Sequence, residues 1–240
     1  MEENKDKQKR TARIGLSLCV SLLLVPATVV LGVLLFRDRK YNLISMAVAF
    51  LSCVPFFFRF ERGRRSARET VILSVMTAFS VVGRLIFAPV PGFKPVTAVT
   101  VISGIALGPE AGFLVGSLSA VVSNIFFGQG PWTPFQMFVW GIIGWGSGLL
   151  FYGKKQAPNR WLLSVVGAVA GVLFSLLMDI WTTLSIDGTF LLNRYLANVA
   201  SSLPFMAIYA VSNVVFLLLL APPFLRKLER VKTKYGVFTS

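Results

Sequence analysis

The chain contains no histidine. That removes the usual haem ligand, the HExxH zinc motif and every histidine-based nucleophile triad. Charge is scarce as well: 14% of the residues are Asp, Glu, Lys or Arg, where a soluble domain carries roughly 25%. Only two cysteines occur, Cys19 and Cys53, both inside apolar runs. They read as small buried hydrophobes, so no disulfide or metal framework is implied. Strict alternation of apolar and polar residues is missing, which argues against a transmembrane β-barrel.

What remains is apolar. Of the 240 residues 55% are hydrophobic, and the mean hydropathy is +0.72. These values predict an all-α integral membrane protein. Eight apolar segments stand out: Ile14–Phe36, Tyr41–Phe58, Thr70–Phe87, Pro95–Leu107, Ala111–Phe127, Phe135–Phe151, Trp161–Leu184 and Leu203–Leu225. The first is long enough to span and is followed by no A-x-A cleavage pattern, so it is expected to be a retained helix.

The net charge of +14 is expected to report membrane topology, with no nucleic acid partner, because the cations sit in short clusters between apolar spans. With both termini in the cytoplasm, the cytoplasmic pieces hold 18 Lys and Arg and the outer pieces hold five. The positive-inside rule favours that orientation. The basic clusters at 59–68 and 226–234 are then topology signals that touch lipid headgroups. Pro95–Leu107 is too short for a full span. Parity still requires it to cross, as a short or broken helix buried in protein, a device found around transporter sites. The same topology puts residues 88–94, 128–134 and 185–202 on the outer face.

Two ridges of small residues recur at a spacing of four. Gly108, Gly112, Gly116 and Ala120 lead to Asn124; Gly167, Gly171 and Ser175 lead to Asp179. Such ridges permit close helix approach, and they direct Asn124 and Asp179 into the bundle. Arg84 and Asp179 are the deepest ionisable groups of opposite sign. They are expected either to pair with each other or to contact a ligand. The Gly-Gln-Gly-Pro-Trp-Thr-Pro-Phe-Gln stretch offers Trp132 and Phe135 as stacking surfaces, with Gln129, Thr133 and Gln136 as polar partners. Phe93 and Lys94 in the other loop, and Tyr209 and Asn213 in the last span, complete the candidates. Trp132 and Phe93–Lys94 also suit an interfacial belt, and Asn213 an interhelical hydrogen bond.

Residues from about Arg68 to Leu225 resemble the substrate-binding S components of energy-coupling factor (ECF) vitamin transporters. The matching pieces are Val-Gly-Arg at 82–84, Phe-Lys-Pro-Val-Thr-Ala at 93–98, Gly-Pro-Glu-Ala-Gly-Phe-Leu-Val-Gly at 108–116, Ser-Asn-Ile-Phe-Phe-Gly-Gln-Gly-Pro-Trp-Thr-Pro-Phe-Gln-Met at 123–137, and Met-Asp-Ile-Trp at 178–181. Within the S components the chain looks most similar to the cobalamin-assigned group, with riboflavin or another small vitamin as the alternative.

The resemblance implies a six-helix bundle over 67–228, preceded by two additional helices in 1–66 and followed by a cytoplasmic tail at 229–240. It implies no enzymatic activity and no cofactor in this chain. The loops at 88–94 and 128–134 would cap a vitamin site that includes Trp181. A membrane coupling protein and two cytoplasmic ATPases would be the partners, and ATP would be hydrolysed there, since this chain has no Walker A motif. Where many S components carry Ala-x-x-x-Ala for docking the coupling protein, this chain has Ser74 and Ala78. A stand-alone secondary transporter predicts an inverted repeat and a midplane carboxylate. A membrane enzyme needs clustered carboxylates or a nucleophile with its base. Neither pattern is evident.

Overall fold

The computed structural model describes residues 66–154 and 158–238, together with Phe50, Leu51, Cys53, Val54 and Phe57. The expected helix at 14–36 and most of that at 41–58 lie outside the described residues. Six α-helices follow: α1 (Ala67–Ile86), α2 (Val96–Leu107), α3 (Pro109–Phe127), α4 (Thr133–Phe151), α5 (Arg160–Asp187) and α6 (Leu192–Tyr235). All except α2 are long and apolar enough to cross a membrane. The protein is thus an all-α multi-pass membrane protein, as its composition predicts.

Local chemistry places the helix ends. Ser66 and Glu69 form a reciprocal capping box at the start of α1, satisfying two backbone donors that the first turn leaves open. Asn159 Oδ1 accepts from the Leu162 N–H (2.8 Å) to open α5. Gly108, at φ 102°, lets α2 stop and α3 start one residue later with Pro109.

Helix α2 is buried along all twelve residues. Twelve residues rise only about 18 Å, and α1, α3, α4 and α6 enclose the helix. At its start Pro95 packs on Gly83 near the end of α1; at its finish Gly108 meets the ring of Tyr152. Tyr152 donates to the Phe238 carbonyl (2.5 Å), and the Phe238 N–H donates to Glu69 at the start of α1 (2.6 Å). So α2 runs from one end of the bundle to the other, antiparallel to α1.

The first glycine ridge forms a close junction. A Cβ placed on Gly104, Gly112 or Gly144 would lie within 2.5 Å of another helix's backbone, so α2, α3 and α4 meet main chain to main chain. The second ridge joins α5 to α6, with Gly171 against Ala210 and Gly167 against Val214. That antiparallel pairing continues to Asp179–Ser202, Thr183–Asn198 and Asp187–Arg194.

One boundary differs from expectation. Residues 185–202, expected as an outer loop, are largely helical: α5 reaches Asp187, Gly188 caps it at φ 71°, and α6 begins at Leu192. Hydropathy marks only the apolar part of a helix, whereas the polar pairs just named carry α5 and α6 past it. At the other end α6 continues through residue 228 to Tyr235, and Val237 and Phe238 are buried in the core.

Candidate functional site

The end of α1, the α1–α2 loop, the starts of α2 and α4, and the middles of α5 and α6 line a cavity of about 180 Å³. Its lining comprises Arg84, Gly92, Lys94, Val96, Thr97, Gln136, Trp140, Phe174, Met178, Tyr209 and Asn213. Two loops close this end of the bundle: the α1–α2 connection, from Phe87 to Pro95, and the α3–α4 connection, from Gly128 to Trp132.

Arg84 organises one wall. Its guanidinium lies over the Phe127 ring at 4.5 Å and over Trp140 at 5.2 Å. Nη1 donates to Asn124 Oδ1 at 2.8 Å and to Ser123 Oγ. Asn124 Nδ2 then donates to Gln136 Oε1 (2.8 Å) and Thr133 Oγ1 (2.9 Å). Thr133 donates to Gln129 Oε1 (3.0 Å), and Gln129 Nε2 to the Val121 carbonyl (2.7 Å). This chain of bonds ties the α3–α4 loop to Arg84. The Arg84–Asn124 and Asn124–Thr133 links are buried, so breaking either leaves a buried polar group unpaired, whereas the Gln129 end is exposed.

The α1–α2 loop is held from α6. Ser212 Oγ accepts from the Lys94 N–H (3.0 Å) and donates to the Lys94 carbonyl (3.2 Å). Gly92 adopts φ 72° and brings its backbone against Ile208 and the Tyr209 ring, where a Cβ would meet Ile208 at 3.0 Å. Lys94 Nζ sits over Phe127 at 5.1 Å. Burial, and secondarily the Arg84 charge, hold the Lys94 pKa below the ordinary lysine value. Ser212→Ala removes both clamps on Lys94 and leaves a backbone N–H without its partner, a loss of about 1–3 kcal/mol. The expected result is faster hydrogen–deuterium exchange confined to residues 88–94; unchanged exchange there excludes the clamp.

Of the residues expected from sequence, Arg84, Lys94, Gln136, Tyr209 and Asn213 line the cavity. Asn124, Thr133 and Gln129 stand behind it in the polar network. Phe93 packs against Phe87 and Phe216, within the core. Phe135 packs on Trp181 at 5.0 Å, and neither reaches the cavity. Trp132 also lies outside the lining: its indole folds over Gly130 and is 38% exposed. Arg84 and Asp179 do not pair. Asp179 accepts from Ser202 Oγ at 2.6 Å, while Arg84 uses neutral partners. Ser74 and Ala78 are exposed on α1, and Ser74 Oγ donates to its own helix at Thr70.

Several lining residues went unmarked in the sequence. Trp140 stacks on Phe174 at 5.1 Å and donates Nε1–H to Thr97 Oγ1 at 3.2 Å; Phe174 meets Tyr209 edge-on at 5.4 Å. Trp140 lies one turn beyond Gln136 on the same helical face, and that spacing is the one signal pointing to it. The result is a cavity with an aromatic wall, two cations, two amides and two hydroxyls, those of Thr97 and Tyr209. Such a lining suits reversible binding of a small ring-bearing molecule.

Comparison with known proteins gives the family. A 34% identical relative, a UPF0397 protein of Vibrio atlanticus, aligns over 118 residues, covering 44% of this chain and 64% of that protein. A UPF0397 protein of Aliivibrio salmonicida is 29% identical over 130 residues, covering 48% of this chain and 70% of the relative. The chain therefore spans just under two thirds of the Vibrio protein. The family described as ECF-type riboflavin transporter, S component, matches residues 64–230, the whole of the six-helix region up to the last turns of α6. The chain belongs to the family of ECF-type riboflavin transporter S components.

Proposed function

We propose that this protein is the substrate-binding subunit of an ECF-type vitamin transporter, and that the cavity at this end of the bundle receives the vitamin. The observation that carries this reading is the position of the cavity. It lies at one end of the bundle, lined by Gly92 and Lys94 of the α1–α2 loop, and the neighbouring α3–α4 loop is tied through Thr133 and Asn124 to the lining residues Arg84 and Gln136. Charge counting puts that end on the outer face and both termini in the cytoplasm. The chain acts as a transporter subunit, not as an enzyme. Its partners are the membrane coupling protein and two cytoplasmic ATPases, which hydrolyse the ATP, and the loaded bundle topples to release cargo inside. The small, exposed Ser74 and Ala78 on α1 suit close docking of the coupling protein.

The cavity favours a vitamin smaller than cobalamin. About 180 Å³ is below the ~300–1,000 Å³ of pockets that enclose drug-sized ligands. A flavin exceeds this volume modestly, and a corrinoid exceeds it far more. Cobalamin, favoured by the resemblance to the cobalamin-assigned group, therefore becomes the second reading.

Co-expression with the coupling protein and the two ATPases tests the proposal. The complex is expected to co-purify and to accumulate a labelled vitamin in liposomes only with ATP. Ion-driven uptake by this chain alone would sink it. The absorbance spectrum of protein purified from rich medium separates flavin from corrinoid.

A further inference from the structure

The charges around the cavity do not balance. Its lining contains Arg84 and Lys94 and no Asp or Glu. Both cations face one ring, Phe127, at 4.5 and 5.1 Å, so they lie within about 10 Å of each other and repel. The nearby carboxylate, Asp179, is outside the lining and accepts from Ser202. Arg84 is 9% exposed, yet only Nη1 is engaged in hydrogen bonds. Its Nε and Nη2 donors make none among the described residues. An arginine offers its donors as a planar fork matched to a carboxylate or phosphate. Here a buried arginine borders a cavity with most of that fork unused. A second cation lies close by, and Trp140, Phe174 and Tyr209 form an aromatic wall.

We infer that the cavity selects a ring-bearing anion, its carboxylate or phosphate held between Arg84 and Lys94 and its ring set against Trp140, Phe174 and Tyr209. The inference rests on the proposed transport role and narrows its substrate class. A bound anion relieves the repulsion between the two cations and fills the unused donors. A neutral ring of the same size leaves both features as they are, which is the origin of the discrimination. Gln136, Asn213 and Thr97 serve the polar edge of the ring.

Two matched pairs of probes test this on the purified full-length protein by calorimetry. Nicotinate and nicotinamide share a ring and differ in a carboxylate; flavin mononucleotide and riboflavin share a ring and differ in a phosphate. The pairs therefore also separate the two sources of negative charge. In at least one pair the anion should bind about tenfold or more tightly, because charge-assisted hydrogen bonds are roughly twice as strong as neutral ones. Lys94→Gln, in the loop outside the helices, should reduce that preference by weakening the anion's binding more than its neutral partner's. Arg84→Gln should do so more completely, and the loop variant keeps the test decisive if Arg84→Gln does not fold. Equal or tighter binding of the neutral member, or no binding by any of the four probes, overturns the inference. If that failure comes with ATP-dependent uptake of a neutral vitamin by the assembled complex, the transport role stands. If no vitamin is taken up, both fall.

Discussion

Gly144→Ala should destabilise the protein more than any other single-methyl addition in α4, and Gly144→Leu should abolish recovery of folded protein. A Cβ at position 144 would sit 2.3 Å from the Gly112 carbonyl oxygen, 2.5 Å from its carbon and 2.7 Å from a Thr100 methyl. Two of those atoms are backbone, so no rotamer change relieves the contact and α3 must move away from α4. Overpacking costs about 1–3 kcal/mol where side chains can adjust, and more is expected where they cannot. Gly146 is the internal control: it lies two residues away in the same helix, and nothing is within 4 Å of a Cβ placed there. The thermal midpoint of the detergent-purified protein should fall clearly for Gly144→Ala and stay within a degree or two for Gly146→Ala. Equal midpoints would mean that the α2–α3–α4 junction is not held by main-chain approach.

Arg84→Gln is expected to have the largest effect on ligand binding. Arg84 supplies the cation, bonds Asn124 and Ser123, and lies between Phe127 and Trp140. Losing hydrogen bonds to a charged group costs roughly 1.5–3 kcal/mol, or about ten- to a hundredfold in the dissociation constant. Arg84→Lys keeps the charge and loses the planar fork, so it should fall between the two. The dissociation constant and the thermal midpoint must be read together. A lower midpoint with unchanged affinity in the folded fraction would assign Arg84 to holding the α3–α4 loop alone.

The two glycine ridges show what was legible in the sequence. A small residue at every fourth position marks one face of a helix whatever it packs against, and the structure uses both ridges for close approach. The buried short helix was legible too, because 12 uncharged, mostly apolar residues fit neither a full span nor a surface loop. Arg84, Lys94, Gln136, Tyr209 and Asn213 were found because a polar group in or beside an apolar span is conspicuous.

Other features were not legible. Trp140 and Phe174 line the cavity, but an aromatic residue in an apolar span reads as core or lipid contact. Trp132 was conspicuous for the opposite reason. It sits in a polar, Pro-rich loop, and yet its indole folds back over Gly130, outside the lining. The pairing of Arg84 was equally hidden. Asp179 offered the opposite charge, whereas Asn124 and Ser123 offered proximity.

The sequence alone determined that this chain is a helical membrane protein, where most of its helices run, and which faces of α3 and α5 pack closely. These properties depend on composition and on the 3.6-residue period, both of which are local. Only the tertiary structure decided which polar groups meet and which aromatics line the cavity. Periodicity orients a side chain about its own helix axis. The rotation and tilt of one helix against another come from packing, and they decide that Arg84 faces Asn124, not Asp179.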